Sequence, residues 1–515
     1  MPRIPSPAFV LALAACAPAR EPAPAEVPLY ENLGQHHYAI TTSAPLAQRY
    51  FDQGLRLYYA FNHAEAIRAF EAATRQDDAC AMCWWGIALA YGPNINAPMD
   101  SASGVAAWSA LREAQRREAG GDERERALIR ALATRYAEVP PADRASLDTA
   151  YALAMAAVAD AHPGDPEAAT LAAEATMDLS PWAYWHPDGS PRPGTAEALA
   201  RLEQVLAANP DHPGANHFYI HAVEAVDPGR AVAHAERLAG LMPGAGHLVH
   251  MPGHIYVRVG RYQDAIEANE HAIHADQTYL QDQRPAMGMY VAGYVPHNHD
   301  FLAFAASMIG RDSQAIAAAE QLAGIVPQEL LRTPGMTLLQ THLTRHLQMK
   351  VRFERWEAIL SAEPPAEDLP LARGFWQYAR GRALVATGDL AGAEAALAAL
   401  RGVAADPAVA PLRTEFNTAG GLLGIATEVL AGHLAAAQGD WSTAVSHLSE
   451  AVRREDALNY GEPPEWSVPV RQELGGVLLK AGRRDEAARV FAEELERFPK
   501  NVWSERGLAE ARGTG

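Results

Sequence analysis

The sequence predicts an all-α chain wound into an alpha-alpha superhelix, on three observations. One pattern recurs from residue 46 onward: a glycine, a short polar turn, an alanine and an amphipathic helix, as in "GRYQDAIEANEHAI", "GRDSQAIAAAEQL", "GDLAGAEAALAAL", "GDWSTAVSHLSEAV" and "GRRDEAARVFAEEL". Each copy follows another helical segment. Alanine, the strongest helix former, dominates throughout, and the alternating β-branched and aromatic runs that mark strands are nearly absent. A two-helix unit cannot bury its apolar face alone, so successive units must stack into a curved solenoid.

The elements follow in order. Residues 1–16 hold Arg3, the apolar run "AFVLALAA" and then Cys16. The run is too short to span a bilayer and reads as a signal. Leu13-Ala14-Ala15-Cys16 resembles the lipobox of bacterial lipoproteins, which implies export, a lipid anchor at Cys16 on the periplasmic side of the outer membrane, and no transmembrane span. Residues 17–45 begin with the Pro/Ala-rich stretch "APAREPAPAEVP", a stiff tether. Residues 46–178 form N-terminal repeats with an insertion at "YGPNINAPMDSASG". Residues 179–330 form a histidine-rich group of repeats, and 331–515 a plain C-terminal scaffold.

The repeated unit resembles the tetratricopeptide repeat, a helical hairpin of about 34 residues. Gly54, Ala66, Phe70 and Ala73 occupy its expected places in an early copy. The small residues Gly432 and Ala444 fall where helices must approach closely. Insertions in such arrays map to loops on one face. In "SPWAYWHPDGSPRPG", Trp182, Tyr184 and Trp185 suit a lid or pocket wall, or packing over a solenoid edge. The CxxC of Cys80 and Cys83 reads as buried small residues or a disulfide more readily than as a metal site.

The chain carries 62 acidic against 43 basic residues, a formal net charge of -19. This excludes nucleic acid as a partner, which needs a basic surface. No GxGxxG after a strand, P-loop, GxSxG or CxxCH supports nucleotide, serine-hydrolase or haem chemistry.

The histidines carry the functional signal. Eleven of the 20 lie between residues 212 and 299. His247, His250 and His254 share a first helix and span about 60° of azimuth, so they face one way. Pro252 between them should kink that helix or mark its effective start. His217 and His221 are i, i+4 partners on the preceding first helix, with Glu224 at i+7 from His217. His297, His299 and Asp300 open the following one. First helices of neighbouring repeats stack about 10 Å apart, so these side chains can converge in one groove.

Histidine-dominated sets suit Cu, Zn or Fe rather than Ca or Mg. Two ions sharing six or so imidazoles would form a coupled copper pair. One ion with three imidazoles and a water would form a zinc hydrolase site, with Glu224 or Asp300 as proton-transfer group. The expectation is therefore a site for one or two transition-metal ions, ligated by His217, His221, His247, His250, His254, His297 and His299. It would serve a metal-dependent oxidoreductase or hydrolase acting on a small molecule or peptide. The alternative is a non-catalytic interaction scaffold in the cell envelope, whose groove the histidines merely line. His212 and His234 read as surface or turn residues, and His342 and His346 as packing. His36, His37, His63, Asn94, Asn96 and Met99 are further groove candidates. The segments around His36 and His37, "GPNINAPM", "HLVHMPGHIYVRVGRY" and "HNHDFLAFAASMIGR" together resemble a group of bacterial tetratricopeptide lipoproteins, which implies a common site without a settled reaction.

Overall fold

The computed structural model describes residues 27–514; the expected signal, Cys16 and most of the tether lie outside them. Among the described residues there is no strand, only isolated bridges such as Asn94 with Ala97 and Trp185 with Pro191. The helices pair as hairpins: Pro45–Tyr59 with His63–Gln76, Ala81–Ala90 with Ser101–Arg117, Val295–Met308 with Asp312–Ile325, Pro370–Thr387 with Leu390–Ala404, Ala419–Ala437 with Trp441–Asp456, and Val470–Lys480 with Arg484–Arg497. The chain is an all-α superhelix of tetratricopeptide-type hairpins.

The sequence explains the local geometry. At the end of a first helix, Gly260, Gly310, Gly388, Gly439 and Gly482 all adopt positive φ, the left-handed cap conformation that costs a Cβ-bearing residue about 1–2 kcal/mol. The following turn is closed by backbone bonds such as Arg261 N–H to Tyr256 O and Arg483 N–H to Leu478 O. Close packing selects glycine within helices. A Cβ on Gly54 or Gly86 would come within 2.6 Å and 2.5 Å of the Phe70 ring, which fills the gap between their helices. Gly432 makes the expected close approach, its missing Cβ facing Leu448 and the Ala444 carbonyl.

The largest core cluster is built mainly from Val27 through Ala319, joined by Met349, Val468 and Phe498, a second extends from Leu347 to Ala511, and a small cluster gathers around Val326, Leu339 and Leu369. Ala419–Ala437 is long and apolar enough to cross a membrane by composition, yet 67% of its apolar window is buried inside the array. Hydrophobic packing against its neighbours accounts for that composition.

The superhelix curls until distant repeats touch. Tyr59 of the first hairpin reaches His217, Trp503 donates to the Ser307 carbonyl, and Arg345 bonds the Glu465 carbonyl. Trp182, in the loop after Pro166–Met177, stacks edge-on against Phe416, whose loop belongs to the C-terminal repeats. The interior face of the histidine-rich repeats is thereby enclosed. Cys80 and Cys83 form a disulfide at the start of Ala81–Ala90.

Candidate metal centre

Three successive first helices supply the histidines. Pro213–Val223 carries His217 and His221, and Val295–Met308 carries His297. The middle helix is interrupted into Gly246–His250 and Pro252–Arg258. Pro252 removes one backbone donor, as expected, but Met251 between the segments keeps helical dihedrals (φ -49, ψ -37). The spiral path continues, so His247, His250 and His254 stay on one face.

The six imidazoles form two candidate triads, and His221, Glu224 and His254 form a further group that bridges them. In each of His217/His221/His247 and His250/His254/His297, one nitrogen from every ring lies within 4.8 Å of the others. The triads adjoin: His247 and His250 ring centres are 5.8 Å apart, His221 and His254 5.2 Å. Five of the rings are buried and His297 is partly so.

The hydrogen bonds assign the free nitrogens. Nδ1 of His217 lies 2.7 Å from the Tyr59 carbonyl oxygen, which can only accept. Nδ1 of His250 lies 2.7 Å from Asn269 Oδ1. The Asn269 amide is itself oriented by donation to the Ala265 carbonyl. Nδ1 of His221 and of His254 lie 3.2 Å and 2.7 Å from the two oxygens of Glu224. In His217, His221 and His250 the Nδ1–H donates outward, leaving a lone pair on Nε2, while Nδ1 of His254 faces Glu224 at ion-pair distance without hydrogen-bond geometry. Nε2 of His217, His221 and His250, and both nitrogens of His247 and His254, are buried without a hydrogen-bond partner among the described residues. A buried unpaired polar atom costs about 1–3 kcal/mol. Five such rings around two points, three of them anchored by a hydrogen bond through the other nitrogen, have the pattern of a metal site.

Electrostatics agree. Burial, then the neighbouring imidazoles, hold His217, His247, His250 and His297 well below the ordinary histidine value. They are neutral, as ligands must be. Burial pushes the Glu224 carboxyl up, but His254 and His221 outweigh it and hold it below the usual carboxylate range. Glu224 is thus an anion that accepts from His221 and lies 2.7 Å from Nδ1 of His254, an orienting position rather than that of a base facing the Nε2 atoms.

Other expected residues fall elsewhere. His299 lies two positions past His297, about 200° around the helix, and joins neither triad. Asp300 is committed to Arg345, whose Nε lies 2.7 Å from Oδ1 and whose second guanidinium nitrogen lies 2.8 Å from Oδ2. His212 is a turn residue that caps Pro213–Val223, but it is fully buried and not on the surface, and His234 is half-buried against Asn216. His36 and His212 gather on Glu167. Nδ1 of His212 accepts from the Ala215 amide, so its Nε2 carries the proton given to Glu167, and no lone pair is left for a metal. Tyr59 also donates to Glu167, tying this cluster to the carbonyl that holds His217. His63 does not end the first helix but begins the second, after the Asn62 cap.

No family model matches the chain, and no curated protein is similar to it. Its similarities are to solved helical-repeat structures. The APC/C hetero-tetramer Cut9–Hcn1 matches at 12% identity over 90% of this chain and 76% of that chain, with a TM-score of 0.34. The human IFIT1 dimer with m7Gppp-AAAA matches at 12% identity over 92% and 91%, TM-score 0.36. Yeast Tom70 matches at 10% identity over 91% and 88%, TM-score 0.29. Likeness at this level lends nothing to the reading of the histidines.

Aromatic side chains that the spacing of histidines did not reveal wall the centre. Phe61 packs on His217 at 4.5 Å and on His247 at 5.4 Å, and Tyr294 lies 4.4 Å from His247. Phe301 contacts His250 and His254 at 4.6 Å each. Phe61 has φ +54 and closes its turn through Asn62 N–H to Leu57 O, so it stands where the other hairpins place glycine. That signal is visible by aligning "FNHAEAI" with "GRYQDAI". Trp182, with φ +63, lies edge-on to His221 at 5.1 Å and donates to Asn96 Oδ1 at 3.0 Å. Two aromatic residues thus hold a conformation disfavoured for them, and both press on the histidines. Strain of this kind is retained where the surroundings fix it, often at functional sites. The Trp182 loop acts as a wall of the centre, and Trp185 of the same loop donates to the Ala222 carbonyl.

Proposed function

We propose that the protein is an exported, lipid-anchored metalloprotein whose two histidine triads bind a pair of copper ions for oxidoreductase chemistry on dioxygen. The observation that carries this reading is the convergence of six imidazoles in two triads, five of them with buried unpartnered nitrogens and three of those oriented through Nδ1. All-imidazole donors suit copper and zinc. A hydrolytic zinc site would want a base near the metal, but Glu224 faces the Nδ1 side and Asp300 pairs with Arg345. A pair of copper ions supplies two-electron exchange with dioxygen, and the aromatic walls Phe61, Trp182, Tyr294 and Phe301 would exclude bulk water. The chain's own part is to hold the ligand rings neutral and aimed.

A second reading is the interaction scaffold, which repeat architecture supports by itself because stacked hairpins present extended surfaces to partners. Metal content separates the two. Full-length protein recovered from the cell envelope should carry two equivalents of copper by plasma mass spectrometry. A chain that is metal-free, and refuses copper and zinc on titration, would leave only the scaffold.

A further inference from the structure

Behind His247 a row of tyrosines leads outward. The Tyr294 ring is 4.4 Å from His247, Tyr290 is 5.8 Å from Tyr294, and Tyr279 is 5.6 Å from Tyr290. Tyr279 and Tyr30 are partly exposed and, with Tyr290, line one small cavity at the surface. The row is not built as ordinary core. Tyr290 donates to Asp276 Oδ1 at 2.7 Å, and Asp276 is buried and fixed by Asn298. Tyr30 and Tyr279 hydroxyls lie 3.0 Å and 3.4 Å from the two oxygens of buried Glu65. Three of the four tyrosines therefore keep a carboxylate at the phenolic oxygen, although leucine or phenylalanine would fill the same volume without burying a charge. Tyr290 and Tyr294 open and close a π-helical turn, Tyr290–Tyr294, a rare element frequently found at functional sites.

We propose that Tyr279, Tyr290 and Tyr294 form an electron relay between the metal centre and the surface, carrying single electrons from a phenol- or hydroquinone-class donor to dioxygen reduced at the centre. The inference rests on the binuclear copper reading above. For each electron passed inward, Tyr290 or Tyr279 loses one electron and its phenolic proton moves to Asp276 or Glu65, while Tyr294, whose buried hydroxyl has no hydrogen-bond partner among the described residues, keeps its proton and only bridges the electron across to the centre. The donor then returns one electron, the carboxylate returns the proton, and the tyrosine is restored. The donor leaves oxidised by one electron, having released one proton to solvent, and dioxygen takes its protons from solvent.

The test uses the full-length copper-loaded chain, reduced with dithionite, mixed with dioxygen and freeze-quenched for electron paramagnetic resonance. An organic radical is expected whose spectrum narrows when ring-deuterated tyrosine is incorporated. Tyr290→Phe should reduce that signal at least tenfold, and should slow steady-state oxidation of hydroquinone to a similar degree, with copper content unchanged. Tyr279→Phe, at a partly exposed position that leaves the core intact, should do the same to hydroquinone oxidation. Unchanged radical and turnover in both variants, with copper bound, would overturn the relay alone. A wild-type chain that takes up no copper would overturn both the relay and the centre it serves.

Discussion

The Glu224 carboxylate lies 2.7 Å from Nδ1 of His254, and its other oxygen is 3.2 Å from Nδ1 of His221. One side chain thereby faces a ring of each triad, and under the copper reading it would couple the two metal positions. Glu224→Gln keeps the shape but offers an amide where one of two N–H groups needs an acceptor. Loss of such an orienting partner typically weakens metal affinity about 10–100-fold. Competition titration should show both equivalents weakened. If only one weakens, the carboxylate does not link the triads.

Single ligand removals should separate the positions. His217→Ala should lose the equivalent held by His217, His221 and His247, and His250→Ala the one held with His254 and His297. His299→Ala, outside both triads, should retain two. Metal counting on the three variants checks this, and equal losses from all three would dissolve the grouping.

Phe61 should invert a familiar order. At most helix positions alanine is better tolerated than glycine, by about 0.5–1 kcal/mol. At φ +54 the preference reverses, so Phe61→Gly should be more stable than Phe61→Ala by about 1 kcal/mol. Both should fall below the parent, because removing a buried phenylalanine costs about 3–5 kcal/mol. Chemical denaturation of the metal-free chains measures the order. Alanine above glycine would show that the left-handed turn is not held in solution.

Acid should destabilise the metal-free chain early. Burial lowers His63 and His342 to about 4, against a value near 6.5 in the unfolded chain. A group with a depressed folded value binds more protons unfolded, so its contribution is intact above about 6.5 and is lost as pH falls toward 4. At pH 5 this amounts to roughly 2 kcal/mol for each of these two residues, with His217, His247, His250 and His297 adding in the same direction. Denaturant midpoints at pH 7 and pH 5 should differ clearly, and saturating metal should raise both midpoints by a similar amount, because the folded imidazoles are already neutral at either pH. A flat profile would mean the imidazoles are not held neutral.

The sequence by itself determined the helical hairpins, their glycine turns, and the placement of histidines on three successive first helices. These depend on local rules: helical periodicity, cap chemistry and repeat spacing. It also showed that His247, His250 and His254 share a face. Only the tertiary structure divided that face, giving His247 to the preceding helix and His250 and His254 to the following one. That division depends on the stagger and rotation between helices. Packing sets both, for instance where Gly253 lets Asn269 Nδ2 come within 2.9 Å of the position a Cβ would occupy. The π-helix before Val295–Met308 shifts the phase of the next helix, so His297 faces inward and His299 does not, a choice spacing cannot make. Trp182, Phe416 and the Tyr59 carbonyl reach the centre from distant repeats because the superhelix curls on itself. One-dimensional spacing fixes where a side chain points on its own helix; which other helix it meets is decided by how the small and large residues between them close-pack.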